Sequence, residues 1–299
     1  MRGISVIIPT FNREKLVGEA IKSVLEQDYG GVVEIIISDD GSTDKTLEVV
    51  STFGSNIKIL IKPDDCHSQG ASGARNRGIL KATQPYICFL DSDDLYLPGH
   101  LNKMVAALES NDIFSFALCN SLEMLELNNT RIFRRWTKAN IGVRDLENLA
   151  ITTIHFANSN GFIFKREVFN KIGLFNEKIQ VGEDTDMWMR VNENFKGVYS
   201  NHYGTVIRRH NMLQLTDIPK SKLRASHYAV YRNAIKRYRE MNLNNKYRLT
   251  ALWFLAMKYK LSLLPVFSTI YIYLSDQNNR KKNEVIPDSS WQPLEFFEA

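Results

Sequence analysis

Apolar and polar positions alternate along the first hundred residues with two periods. Residues 4–9, Ile-Ser-Val-Ile-Ile-Pro, form a short β-rich run stopped by proline. Residues 14–27 then place Leu16, Val17, Ala20, Ile21, Val24 and Leu25 on one helical face. A second apolar run at 32–37 ends in Ser38-Asp39-Asp40-Gly41-Ser42, and helical spacing returns over 44–53 through Leu47, Val50 and Phe53. Residues 57–61 predict a third strand, 72–82 a helix opened by a glycine-rich loop, and 86–90 a fourth strand. Strands alternating with helices predict a parallel sheet covered by helices on both faces.

Ligands of such sheets bind at the carboxyl ends of the strands. The polar clusters fall there: Pro9-Thr10-Phe11-Asn12 after the first strand, Asp39-Asp40 after the second, and Asp91-Ser92-Asp93-Asp94 after the fourth. Acids with no task would scatter over both ends, so the coincidence points to one binding rim. Three carboxylates within four residues raise one another's pKa unless a cation sits between them, which suggests a divalent metal. All-oxygen ligands favour Mg or Mn over zinc. The plain alternative is a solvated turn, where aspartate is common. No GxGxxG follows the first strand and no GxxxxGK[ST] occurs, so a metal would have to hold any phosphates.

The pattern loosens after Asp94. A helix is predicted over 98–108 with Pro98 in its first turn, then a strand over 113–119. Residues 120–153 are polar, with a basic patch of Arg131, Arg134, Arg135 and Lys138 around Trp136 that reads as a solvated face or as a border of an acceptor groove. Residues 157–175 read as strand, turn and helix, leading to a further helix that opens with Glu183-Asp184-Thr-Asp186. Trp188 there packs in the core or lines a pocket. Residues 221–241 form a helix rich in Arg, Lys and Tyr. The apolar stretch 247–274 is interrupted by Lys258, Lys260 and Pro265, and its longest clean piece, 261–274, falls short of the roughly 20 residues that a spanning helix needs. Core or partner packing is one reading; an interfacial segment beside Arg232, Lys236, Arg237 and Arg239 is the other. The tail reads as linker and docking segment, or as disordered.

Composition narrows the classes. A net charge of +5 with 44% hydrophobic and 24% charged residues is ordinary for a globular protein, and no compact nucleic-acid motif is present, so nucleic acid is not expected as a partner. Three widely spaced cysteines, Cys66, Cys88 and Cys119, imply no disulfide framework and point to a reducing compartment. The first strand begins too early for a secretory signal. The expected location is cytoplasmic, with peripheral contact at the cytoplasmic face of the membrane as a further expectation.

Four motifs in order carry a resemblance: Ser5-Val-Ile-Ile-Pro-Thr-Phe-Asn12, Ile36-Ile-Ser-Asp39-Asp40-Gly-Ser-Thr-Asp44, Gly70-Ala-Ser-Gly-Ala-Arg75-Asn76-Arg-Gly78 and Phe89-Leu-Asp91-Ser-Asp93-Asp94. Residues 4–100 resemble the family 2 glycosyltransferases, which have the GT-A fold and use nucleotide-diphosphate sugars; weaker similarity continues to about residue 215. The resemblance implies a Rossmann-like mixed α/β sheet flanked by helices over 1–215, with a nucleotide-binding half at 1–100 and an acceptor half at 101–215. A helical C-terminal region at 216–275 and a tail at 276–299 would follow.

The resemblance also implies roles. Pro9, Thr10, Phe11 and Asn12 would lie against the nucleoside, with Phe11 keeping the ring where the family more often has tyrosine. Asp39 would accept a hydrogen bond from the base, with Asp40 and Gly41 shaping the turn. Arg75 would reach the base or the diphosphate, Asp91 the ribose with Ser92 beside it, and Asp93 a Mn or Mg ion, with Asp94 bound through water or fixing the loop. Asp184 would be the catalytic base and Glu183 the second choice. His210 would be a further metal ligand, although Ile207 and Leu213-Gln-Leu-Thr216 depart from the family's usual pattern, and Arg208 and Arg209 would neutralise the leaving diphosphate. The implied reaction is inverting transfer of a sugar, from UDP rather than GDP or dTDP, to a hydroxyl of a glycan or lipid-linked acceptor in surface polysaccharide or glycoconjugate synthesis. Two other readings stand beside it: a sugar-phosphate nucleotidyltransferase, whose lysine-bearing glycine loop is missing after the first strand, and a non-catalytic nucleotide-sugar-binding protein.

Overall fold

Nine strands of the computed structural model join one mixed sheet, in the order β3-β2-β1-β4-β8-β6-β9-β5, with β7 pairing β6 outside that path. The structure describes residues 1–63, 70–127, 130–136, 158–179, 181–210, 219–241 and 246–263. The first four strands are β1 (Ile4–Thr10), β2 (Val33–Asp39), β3 (Ile57–Ile61) and β4 (Tyr86–Phe89), all parallel to one another. Their apolar runs are nearly continuous because both faces of this half are covered. Every residue of β1 is buried. Helices α1 (Val17–Leu25), α2 (Thr46–Ser51) and α3 (Gly70–Lys81) connect them.

The helix predicted from residue 72 already begins at Gly70, so part of the expected glycine-rich loop is helical. The glycines serve close packing. A Cβ at Gly78 would lie 2.3 Å from Ile7 Cγ2, so α3 approaches β1 more closely than alanine would permit. Asn76 is buried in this helix and grips the chain at Phe175, donating to its carbonyl at 3.0 Å and accepting from its amide at 2.8 Å.

Beyond β4 the sheet departs from the parallel order expected from the alternation of strands and helices. Strand β8 (Phe162–Lys165) runs antiparallel to both β4 and β6 (Phe114–Leu127). The 14-residue β6 lies parallel to the 14-residue β9 (Lys196–Arg209), and β9 runs antiparallel to the two-residue β5 (Leu95–Tyr96). Strand β6 therefore extends well past its expected end at 119, and β7 (Thr130–Arg135) folds back on it within a stretch that reads as merely polar. Helices α4 (His100–Glu109), α5 (Glu167–Ile172) and α6 (Glu183–Asn194) cover this half.

Two further helices, α7 (Lys220–Glu240) and α8 (Lys246–Ser262), share an apolar cluster of Val230, Tyr231, Ala234, Leu252, Ala256 and Tyr259 with Met189 of α6. Arg237 locks α7 to α6 through Asp186 at 3.0 Å and Glu193 at 2.9 Å. No helix among the described residues is long and apolar enough to cross a membrane. Lys138, Cys66, the run 213–216, residues 264–274 and the tail lie outside the described residues.

Candidate active site

Parallel pairing puts the ends of β1, β2 and β4 on one edge. Thr10 is in register with Asp39, and the Leu90 amide donates to the Ile7 carbonyl at 3.0 Å, so all three strands release their chains at the same rim. The antiparallel β5–β9 pair brings a fourth segment there. With Leu95 opposite Val206, the chain after β9 runs back along the loop 91–94. His210 accordingly reaches Asp93, its Nε2 lying 3.2 Å from Asp93 Oδ2.

Asp93 Oδ2 has a second nitrogen partner, since Arg13 Nε also lies 3.2 Å from it. Burial alone would push its carboxyl up, but the hydrogen bond to His210 and the charge of Arg13 outweigh burial and hold it below the usual aspartate value. Asp94 is the opposite case. It is buried, and burial together with the charges of Asp93 and Asp91 raises it well above the ordinary range. Its oxygens accept from Asn160 Nδ2 at 2.6 Å and from the Arg208 amide at 2.9 Å, so it fixes the loop from inside.

Asn160 was not singled out by sequence reasoning. It is fully buried, and its Oδ1 also accepts from the Asp91 amide at 2.7 Å, so one side chain sets both ends of the acidic turn. Its only signal was the polar run Asn158-Ser-Asn160-Gly161 ahead of an apolar strand. Arg13 was likewise missed, being hidden by its ordinary place after a turn.

Arg75 sits elsewhere than on an open phosphate surface. It is 4% exposed, and its terminal nitrogens donate to Asp91 Oδ1 at 2.8 Å and to Glu183 Oε1 at 3.0 Å. Its plane lies against the Phe175 ring at 5.5 Å. This buried fork joins the acid after β4 to the first residue of α6. Glu183 is pushed up to about 7 by burial and by the charge of Asp184, with Arg75 opposing. Asp184, one residue on and less buried, accepts from the Thr185 amide at 2.6 Å within the first helical turn.

The β1 loop faces the β2 loop. Phe11 is 50% exposed, leaving its ring open for stacking, and Asn12 adopts a left-handed φ of 50°. The Asn12 amide donates to Ser42 Oγ at 2.9 Å, and Asn12 Oδ1 accepts from the Thr43 amide at 2.8 Å. Asp39 is fully buried and accepts from the Gly41 and Ser42 amides, each at 2.9 Å, and from Ser42 Oγ at 2.5 Å. Three of its roughly four acceptor positions thus serve its own turn. Asp40 pairs with Arg77 at 2.9 Å, while Pro9, Thr10 and Ser92 are buried beneath the rim.

Arg208 and Arg209 both pair with acids of the protein. Arg208 is 3% exposed and holds Glu19 and the Leu16 carbonyl, and Arg209 pairs with Glu123 at 2.7 Å. Trp188 belongs to the core, stacked on Phe162 at 4.2 Å. A cleft of about 400 Å³ between α6 and α7, lined by Asp186, Arg190 and Arg237 among others, shares no residue with the rim, and both arginines pair with Asp186.

A mixed sheet of this order, with acids and a histidine gathered where its strands end, defines the GT-A class of glycosyltransferase folds. The chain belongs to glycosyl transferase family 2, whose model matches residues 5–173. That match stops short of Glu183, Asp184 and His210. Over 197 residues the chain is 30% identical to a GalNAc(5)-diNAcBac-PP-undecaprenol beta-1,3-glucosyltransferase of Campylobacter jejuni, covering 64% of this chain and 60% of that enzyme. The chain spans about half the length of several other curated relatives it matches. Among solved structures, S. aureus TarS 1-349 in complex with UDP-GlcNAc aligns with a TM-score of 0.63 at 19% identity, covering 87% of this chain and 72% of that one. A mannosyltransferase of Pyrobaculum calidifontis in complex with GDP-Man and Mn2+ aligns with a TM-score of 0.55 at 17% identity, covering 91% and 79%.

Proposed function

We propose that the chain transfers a sugar, with inversion, from a nucleotide-diphosphate sugar to a hydroxyl of a lipid-linked glycan. The observation that carries this reading is the bridge from Asp91 through Arg75 to Glu183, with the Asp93–His210 pair beside it. The bridge couples the strand ends that would hold the donor to the helix that would face the acceptor. UDP is the favoured nucleotide because of the UDP-GlcNAc complex of TarS, and the lipid-linked acceptor follows the undecaprenol-linked substrate in the Campylobacter enzyme's name.

In this reading Phe11 stacks on the base, and Asp39 uses its remaining lone pair toward the base's imide. Asp91 accepts from the ribose, held in place by Arg75 and Asn160. Asp184 takes the acceptor's proton as the new bond forms; its place on the first turn of α6, less buried than Glu183, suits a group that must meet an incoming hydroxyl. Glu183 is the positioning partner, since its carboxylate is spent on Arg75.

The pair Asp93 and His210 fits a divalent ion. Two ligands at right angles on an octahedral ion with bonds near 2.1 Å lie about 3 Å apart, and the separation here is 3.2 Å. Asp93 and His210 would hold Mn or Mg, which when bound supplies positive charge for the departing diphosphate. Arg13 keeps the carboxylate ionised meanwhile.

Membrane contact through the C-terminal helices is part of the same proposal. Trp253 and Phe254 of α8 are 51% and 73% exposed, and Arg232, Lys236 and Arg239 of α7 are exposed on their helix. Apolar rings with nearby cations suit an anionic interface.

The test is a panel of UDP-, GDP- and dTDP-sugars offered with a polyprenyl-diphosphate-linked saccharide, with Mn, with Mg and with chelator. Nucleotide release that needs both the acceptor and the metal supports transfer. Pyrophosphate formed from a sugar phosphate and a nucleoside triphosphate would instead identify a nucleotidyltransferase.

A further inference from the structure

A second cluster of ligand-type side chains lies inside the antiparallel half of the sheet. His100 opens α4 and is fully buried, Cys119 lies on β6 at 1% exposure, and His202 lies half-buried on β9. One ligand atom from each falls within 4.8 Å of the others. His100 Nδ1 is 3.4 Å from His202 Nε2 and 3.9 Å from Cys119 Sγ. We propose that His100, Cys119 and His202 form a zinc site that ties α4, β6 and β9 together.

Three observations carry the proposal. The first is spacing: ligands on a tetrahedral zinc lie about 3.4 Å apart for two nitrogens and about 3.6 Å for nitrogen and sulfur. The measured separations already approach both values. The second is that the cluster is poorly satisfied within the protein. The contact between the two imidazoles is longer than a normal hydrogen bond, so His100 Nδ1 and His202 Nε2 face each other without a close partner. Buried polar groups normally find partners, and a cation between these two nitrogens would supply one.

The third observation concerns what surrounds the ligands. A Cβ at Gly204 would lie 2.1 Å from His100 Nδ1 and 2.8 Å from Cys119 Sγ, so a glycine on β9 is what lets ring and thiol meet. Ser200 Oγ lies 2.7 Å from His202 Nδ1, fixing that ring with Nε2 turned toward the other two, as outer hydrogen bonds do for metal-bound histidines. The Cys119 thiol would release its proton to water on binding the ion. Half-buried His202 gives the ion a way in, and water completes the fourth position.

This site does not depend on the glycosyltransfer reading, and its test is separate. The purified full-length chain, stripped of metal, is titrated with Co2+ and read by thiolate-to-cobalt charge-transfer absorption, then with Zn2+ displacing it. The expected result is saturation at one ion per chain, with the band kept in Cys66→Ser and in Asp93→Asn and lost in Cys119→Ser. Ser200→Ala removes no ligand but frees the His202 ring, and should weaken zinc by about 10- to 100-fold without unfolding. Absence of the band in the wild-type chain, or its survival in folded Cys119→Ser, overturns the proposal. If Cys119→Ser fails to fold, an unchanged zinc affinity in Ser200→Ala does the same.

Discussion

The rim and the histidine–cysteine cluster are built from the same sheet and solve opposite problems. At the rim, charge meets opposite charge: Arg75 lies between Asp91 and Glu183, and Arg13 pairs with Asp93, whose same oxygen faces His210. In the core cluster the groups are neutral and their contacts long. A network that already holds its charges in place can meet a charged substrate with little reorganisation, the condition under which fixed dipoles and ions lower a barrier most. A dry neutral cluster accepts only a ligand that brings its own charge. Strand β9 serves both, carrying His202 and Gly204 into the core and Arg208 to the rim, with His210 just beyond its end.

The sharpest way to break this contrast is to remove the proton acceptor while leaving the network standing. Asp184→Asn keeps an oxygen for the Thr185 amide, so the first turn of α6 should survive. Transfer should fall by about 10²- to 10⁴-fold in kcat, the usual range for a positioned base, with nucleotide-sugar affinity unchanged in calorimetry. Equal turnover would remove Asp184 from the chemistry.

Arg75→Met comes next, because it removes the cation that buried Glu183 and half-buried Asp91 share. Breaking such a pair from one side costs about 3–5 kcal/mol, so chemical denaturation should show a large loss of stability. Replacement by lysine should recover only part, since a point charge cannot bridge two acids as a planar fork does. A small loss for both variants would mean that the bridge opens readily in solution.

Asp93→Asn tests the other pair at the rim. Shape is kept while the charge that Arg13 and His210 share is lost, and nucleotide affinity in the presence of Mn should fall by about 10- to 100-fold, a range borrowed from substitutions that disturb a bound metal. Without Mn the variant and the parent chain should bind alike. Equal metal dependence in both proteins would take Asp93 and His210 out of the metal site.

The parallel half was legible because strands buried on both faces are written as apolar runs, and each ended in a polar cluster that marked its carboxyl end. The antiparallel half was not. Strand β5 is two residues long, and β9 mixes Lys196, Ser200, Asn201 and His202 with Val198, Val206 and Ile207, so neither shows a clean run. Asp93 and His210 could be paired in advance only through resemblance, since their meeting depends on the register of Leu95 with Val206. The same blindness applied to Arg75: a charged residue among glycines gives no sign of burial, whereas Gly78 brings its helix onto β1 and so buries the guanidinium. His100, Cys119 and His202 carried no spacing motif because three separate elements supply them.

The smallest expected effect is a change of slope, and it tests whether the bridge sits in as dry a place as the geometry requires. Glu183 rises from an ordinary value of 4.5 to about 7, with burial the largest cause and the Asp184 charge next. The folded chain therefore holds a proton there that the unfolded chain releases between those values. Stability from this group is complete below 4.5 and is lost as pH rises through about 7. Glutamine cannot titrate, so Glu183→Gln should flatten the fall of melting temperature across that window. Asp184→Asn removes the neighbouring charge and should move the window to lower pH, as expected when two acids titrate together. Parallel curves for the parent chain and Glu183→Gln would mean that Glu183 is already ionised at the lower end, its burial outweighed by Arg75.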